Sequence, residues 1–326
     1  MSKGALSGGR AQGLAGGLAG GPAGPLLALA AFGLYATHDV VVKHLGETYS
    51  VFQIVFFGGL LSFPLVALWL LQDRTDGNLR ARHPWWSLLR TLCVIGSGAG
   101  AFHAFTVLPL TQTYAILFAT PLLITILAIP ILGEQVRLRR GLAVILGLLG
   151  VLIVLRPGAE PLNAGHLAAV FAAMCSATSS VVVRRISGVE LGAVLMLWPM
   201  VGSVLIMGAV MPWVYVPVEL VDLALMGLVA GFGFAAALLI IAAYRRAEAA
   251  LVAPMQYSQI IWATLFGALL FDEWPDAWTM AGAAVIIGAG LYIVLREARS
   301  GASANRPVVS NSPRVGTVSP QHPPKP

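Results

Sequence analysis

Charge is what this sequence has least of. Its 20 Lys and Arg and 14 Asp and Glu make up 10% of 326 residues, against about 25% in an ordinary soluble domain. So few charges cannot cover a water-facing surface, and the chain calls for the bilayer as solvent. Cysteine is nearly absent as well. Cys93 and Cys175 stand singly in different apolar runs, so no disulfide framework is indicated and both read as small core residues. No nucleotide-binding loop, nucleophile triad or metal-ligand cluster appears, so no cofactor and no metal are expected and a primary pump is disfavoured. The apolar runs also lack the alternation that a membrane β-barrel needs; Leu142 to Leu155 holds no charge at all.

What is present is length of apolar sequence. Hydrophobic residues make up 58% and mean hydropathy is +0.83, and a helix crosses the bilayer in about 20 residues. Apolar runs lie near 26–45, 50–71, 86–108, 112–132, 139–156, 165–184, 190–211, 220–244, 249–271 and 277–295. Because backbone groups in lipid must be satisfied within the segment, each run is expected to be a helix. Residues 1–24 and 300–326 read as a disordered lead and tail.

The chain repeats itself. Ala36-Thr37-His38-Asp39-Val40-Val41-Val42-Lys43 overlays Ala177-Thr178-Ser179-Ser180-Val181-Val182-Val183-Arg184, at an offset of 141. The same offset carries Gly141 onto Gly282 and Gly147 onto Gly288, and an offset of 139 carries Thr125 onto Thr264 and Glu134 onto Glu273. One near-constant shift therefore joins a first five-helix repeat (26–156) to a second (167–297). Five spans is an odd number, so the second repeat enters the membrane from the opposite side, the inverted arrangement of many carriers. The expected fold is thus all-α and integral to the membrane, with ten transmembrane helices in two inverted five-helix repeats around a central cavity.

The net charge of +6 does not point to nucleic acid, because the basic residues lie scattered between apolar runs. With both termini cytoplasmic, the inner segments collect Lys3, Arg10, Arg74, Arg80, Arg82, Arg137, Arg139, Arg140, Arg184, Arg185, Arg245, Arg246 and the basic residues from Arg296 onward, while the outer segments keep Lys43 and Arg156. That asymmetry is the positive-inside pattern of a multi-pass inner-membrane protein.

Several stretches carry a family likeness. They are Arg90-Thr91-Leu92, Leu108-Pro109-Leu110, Ala119-Thr120-Pro121-Leu122, Leu132-Gly133-Glu134-Gln135, Leu155-Arg156-Pro157-Gly158, Ala253-Pro254, and Phe271-Asp272-Glu273-Trp274-Pro275. In this order and spacing the chain resembles the drug/metabolite transporter superfamily, in its ten-helix EamA branch. It is most similar to the subset that includes S-adenosylmethionine-type and riboflavin-type carriers. Members of that subset often place an arginine after the run that here is Val51 to Phe57; this chain has Gly58. The resemblance implies a helical basket with a central cavity, alternating access, and no ATP hydrolysis.

Candidate residues follow from polarity inside the spans. Asp39 is the one carboxylate clearly within a run, and a charge there is a functional hypothesis by default. Burial penalises the charged form of a carboxyl group, so Asp39 can couple proton movement or pair with a cationic substrate; the plainer alternative is an interfacial i,i+4 pair with Lys43. His38 and His103 can relay a proton or bind an anion, or simply hydrogen-bond a neighbouring helix. Gln256 and Gln259, one turn apart, with Tyr257 and Trp262 beside them, suit a cavity wall or a helix contact. Tyr114 and Ser180 are further cavity candidates. Glu134 and Glu273 end equivalent spans on opposite faces and read as interfacial starts of the next helix. Gly96-Gly100 and Gly227-Gly231 have the spacing for close helix packing.

The reading that unites these features is a secondary transporter of a small polar or amphipathic metabolite, surrounded by membrane lipid, with monomer or homodimer left open. The competing classes are a membrane enzyme acting on lipid, for which the acidic 272–276 stretch is the one polar density, and a non-transporting scaffold.

Overall fold

Without water to satisfy the backbone, the chain closes its own hydrogen bonds in helices. The computed structural model describes residues 23–72, 81–134, 136, 138–158, 161–187, 189–247 and 249–300. The expected lead and tail fall almost wholly outside the described residues, as do Arg74, Arg80 and Arg137 of the inner segments.

The first half holds α1 (Ala23–Leu45), α2 (Val51–Gln72), α3 (Pro84–Val107), α4 (Leu110–Leu117), α5 (Thr120–Leu132) and α6 (Leu138–Leu155). The second holds α7 (Ala164–Ile186), α8 (Gly192–Val214), α9 (Leu220–Arg246), the short α10 (Ala249–Val252), a 3-10 turn (Ala253–Tyr257), α11 (Ser258–Leu270) and α12 (Ala277–Ser300). Among the described residues, nine segments are long and apolar enough to cross a membrane, with α4 and α5 forming one of them. The tenth, α10 to α11, is interrupted by the 3-10 turn.

The two interruptions are equivalent. The fourth span breaks at Phe118-Ala119 and the ninth at Tyr257-Ser258, the same place at an offset of 139. The sequence reads each as one span because no charge falls at either break, although Gln256, Ser258 and Gln259 lie at the second. Proline lies beside both: Pro121 in the first turn of α5 offers no N–H to the end of α4, and Pro254 in the first turn of the 3-10 segment offers none to α10. Phe118 and Tyr257 then meet each other edge-on, ring centroids 5.1 Å apart at 83°. Two residues related by the repeat are in mutual contact, which marks the axis between the halves.

The halves interlock rather than sit side by side. The most extensive helix contacts are α3 on α7, α1 on α9, α6 on α12 and α2 on α8, each joining one half to the other. Glycine makes the closest of these possible. A Cβ on Gly150 would lie 2.9 Å from the Gly282 carbonyl, and one on Gly282 would lie 2.7 Å from the Gly150 carbonyl. Gly100 similarly lets α3 reach α7, since a Cβ there would lie 2.8 Å from the Ala168 carbonyl. The other expected packing pair does not behave so. A Cβ added at Gly227 or Gly231 would meet nothing within 4 Å, so spacing alone misreads them: they face open space on α9.

Candidate functional site

Asp39 is the focus of the polar interior. It is wholly buried, on the last turns of α1. Its Oδ2 accepts the Tyr114 hydroxyl from α4, and its Oδ1 lies 2.7 Å from His38 Nδ1. The Gln259 amide, on the first turn of α11, lies 3.5 Å from the Tyr114 hydroxyl. Three candidates from three distant segments, Asp39, Tyr114 and Gln259, thus form one chain of polar contacts beside the broken helices. Discontinuous helices at equivalent points of two repeats are where carriers build their binding sites.

Aromatic rings wall this chain. Phe102 stands edge-on to His38 at 5.6 Å, and Phe105, Tyr114 and Phe118 follow one another at 5.3 and 6.0 Å. Tyr257 continues the row through Phe118. Trp262 stacks on Phe266 and lies against Gly33, 3.4 Å from a Cβ there. The hydroxyls of Tyr257 and Ser258 and the indole nitrogen of Trp262 are buried without a hydrogen-bond partner among the described residues. Polar atoms buried in this way carry a desolvation cost, and all three sit on the interrupted ninth span.

The i,i+4 alternative for Asp39 is not what the chain adopts. Lys43 turns away, lies 2.8 Å from Glu273, and donates to the carbonyls of Phe105 at 3.2 Å and Leu108 at 2.8 Å. Those carbonyls end α3, where the helix dipole and unpaired oxygens favour a cation. Glu273 in turn accepts the Leu110 N–H at 3.2 Å. Asp276 of the acidic 272–276 stretch likewise forms an ion pair, with Arg156.

The remaining candidates fall elsewhere. His103 is half-buried on α3, and its side chain makes no hydrogen bond among the described residues. Ser180 donates to the Ser176 carbonyl of its own helix at 2.9 Å. Gln256 is buried within the 3-10 turn, so the expected helical face with Gln259 is bent at that point. Glu134 does more than begin a helix: it pairs with Arg184 and lies 3.9 Å from Arg140. Sequence reasoning misses the partners of Lys43 and Glu134, although the repeat itself holds the signal, because Lys43 aligns with Arg184 and Glu134 with Glu273.

Known proteins share this architecture. The EamA-like transporter family matches twice, over residues 22–156 and 163–296. The S-adenosylmethionine uptake transporter of Rickettsia bellii is 27% identical over 81% of this chain and 91% of its own length. The riboflavin transporter of Vibrio cholerae is 30% identical over 68% of this chain and 75% of its own. One crystal structure superposes with a TM-score of 0.56 at 19% identity, covering 86% of this chain and 99% of that one; it bears on the fold alone.

Proposed function

We propose, because this chain belongs to the EamA-like transporter family, that it carries a small metabolite across the inner membrane by alternating access, with Asp39 as the charged contact for substrate or proton. The relatives are metabolite transporters. The observation that carries the assignment to Asp39 is its position: a fully buried carboxylate held by Tyr114 and His38 next to both helix breaks. A carboxylate so placed can exchange a proton for the positive group of a solute, since one negative charge satisfies one cation at a time. Tyr114 and Gln259 hold the acceptor in place, and the aromatic row offers faces on which a flat or cationic solute can rest. The positive-inside pattern supports cytoplasmic termini. That orientation puts Lys43 and Glu273 at the outer end and Arg184 and Glu134 at the inner end.

The test is thermal stabilisation of the purified protein at two pH values, beside Asp39→Asn. The panel includes S-adenosylmethionine and riboflavin, the solutes named for relatives. A ligand at 100 times its dissociation constant adds about 2.7 kcal/mol. The reading expects a solute whose stabilisation depends on pH and is lost in Asp39→Asn. Equal stabilisation in both proteins contradicts the role of Asp39 and moves the contact to the Gln259 side.

A further inference from the structure

We infer that Lys43–Glu273 and Arg184–Glu134 are a matched pair of locks, one at each end of the solute path, and that each must open for its own end to admit the solute. The inference rests on the carrier reading above.

The argument begins with the repeat. Lys43 and Arg184 are equivalent at an offset of 141, and Glu134 and Glu273 at an offset of 139. Within one half the cation and the acid close helices at opposite ends of the bundle, so Lys43 cannot reach Glu134, nor Arg184 Glu273; each cation is met instead by the acid of the other half. Lys43 lies 2.8 Å from Glu273, and Arg184 hydrogen-bonds Glu134. Both pairs cross between halves, and each is the image of the other under the inverted repeat.

They lie at opposite ends. Traverses alternate along the chain, so the close of α1 and the close of α11 share one end, and the close of α7 and the close of α5 share the other. The cation always ends the first helix of a repeat, and the acid always follows the broken helix of the other repeat. Each pair therefore ties a broken helix, which carries part of the candidate site, to the opposite half.

The backbone presents both acids identically. Gly133 and Asp272, equivalent residues, take left-handed conformations at φ 71 and 53. The Glu134 N–H then reaches the Ala128 carbonyl at 3.3 Å, and the Glu273 N–H reaches the Gly267 carbonyl at 2.9 Å. This is the six-residue closure of a helix C-terminus, and it aims each carboxylate across the junction rather than along the next helix.

The outer pair also lies close to the site. Lys43 is four residues beyond Asp39 on α1, or about 6 Å along the helix. Its carbonyl partners at Phe105 and Leu108 and the Glu273 contact to Leu110 gather α1, the α3–α4 corner and the α11–α12 corner at one point. Parting Lys43 from Glu273 frees the corner that covers Asp39 and Tyr114. The side chains keep some access to water, 10% and 22% exposed for Lys43 and Glu273 and 18% and 24% for Arg184 and Glu134. Water can replace each partner when the pair opens, so breaking it is reversible at modest cost.

The experiment reads sidedness. Gly233 of α9 faces His38, whose Cδ2 would lie 3.7 Å from an added Cβ, so Gly233→Cys in a Cys93→Ala, Cys175→Ala background reports on the site. Sealed vesicles of each orientation are treated with a membrane-impermeant maleimide. Glu273→Gln is expected to raise the outer labelling rate about fivefold or more and to lower the inner rate, and Glu134→Gln to do the opposite. If Glu273→Gln does not fold, Glu273→Asp, which keeps the charge and shortens the reach, is expected to shift labelling in the same direction by less. Labelling of the parent from both faces that neither variant shifts overturns the locks while leaving the carrier reading intact. No labelling of the folded parent from either face overturns both.

Discussion

Gly133 and Asp272 make the same left-handed turn, Glu134 and Glu273 cross to the opposite half in the same way, and Phe118 meets Tyr257 on the axis between them. At other equivalent positions the halves part company. His38-Asp39 stands where the second half has Ser179-Ser180, and Tyr114 stands where it has Ala253. What the halves share is backbone, breaks and end-pairing, the parts the proposed two-sided cycle requires. What they do not share is the acid and its phenol. On the proposed reading the solute is not symmetric, and its charged contact needs to be made only once.

The comparison can be broken first at the unshared residues. Tyr114→Phe leaves the ring and removes the hydroxyl that Asp39 accepts. A hydrogen bond to a charged group contributes about 1.5–3 kcal/mol, so solute affinity is expected to fall roughly tenfold to a hundredfold in a binding titration. Removing the Ser180 hydroxyl by Ser180→Ala, at the position equivalent to Asp39 where no carboxylate stands, should cost solute affinity much less. Equal losses in the two variants would contradict the assignment of the chemistry to the first half.

Packing gives the next effect. Gly100→Leu drives a side chain into the Ala168 carbonyl, 2.8 Å from its Cβ, and overpacking of this kind costs about 1–3 kcal/mol. Gly231→Leu meets nothing within 4 Å of its Cβ, and its thermal unfolding is expected to match the parent. The smallest effect sharpens the shared turn. Asp272 holds φ 53 where its counterpart is glycine, and the left-handed region penalises a side chain. Asp272→Gly is expected to raise stability by about 0.5–1 kcal/mol, as other helix-cap improvements do, with Glu273 still paired to Lys43. A lower melting temperature would show that the Asp272 side chain holds the turn by another contact.

The legible part of the molecule is what hydropathy and repetition encode. All ten apolar runs contain helix, and the acid inside the first of them is wholly buried. The helix breaks are not legible, because neither carries a charge or a glycine: Phe118-Ala119 is apolar, and the polar Gln256 to Gln259 stretch at the second reads equally well as one face of a continuous helix. The partner of Lys43 is hidden for a local reason: Asp39 is one turn away along the chain, while Glu273 comes near only after folding. Local proximity loses because the α3 carbonyls capture the ammonium and Tyr114 and His38 occupy the carboxylate. The weight of Tyr114 is hidden for the same cause, as its partner is on another helix.

The central claim is that Asp39 is the charge through which a carried solute or proton passes. The most direct measurement is uptake of the stabilising solute into proteoliposomes, as a function of pH on each side, for the parent protein and Asp39→Asn. The account predicts that the parent's uptake responds to an imposed pH difference and that Asp39→Asn folds but no longer responds. Transport by Asp39→Asn with the parent's pH dependence would contradict it.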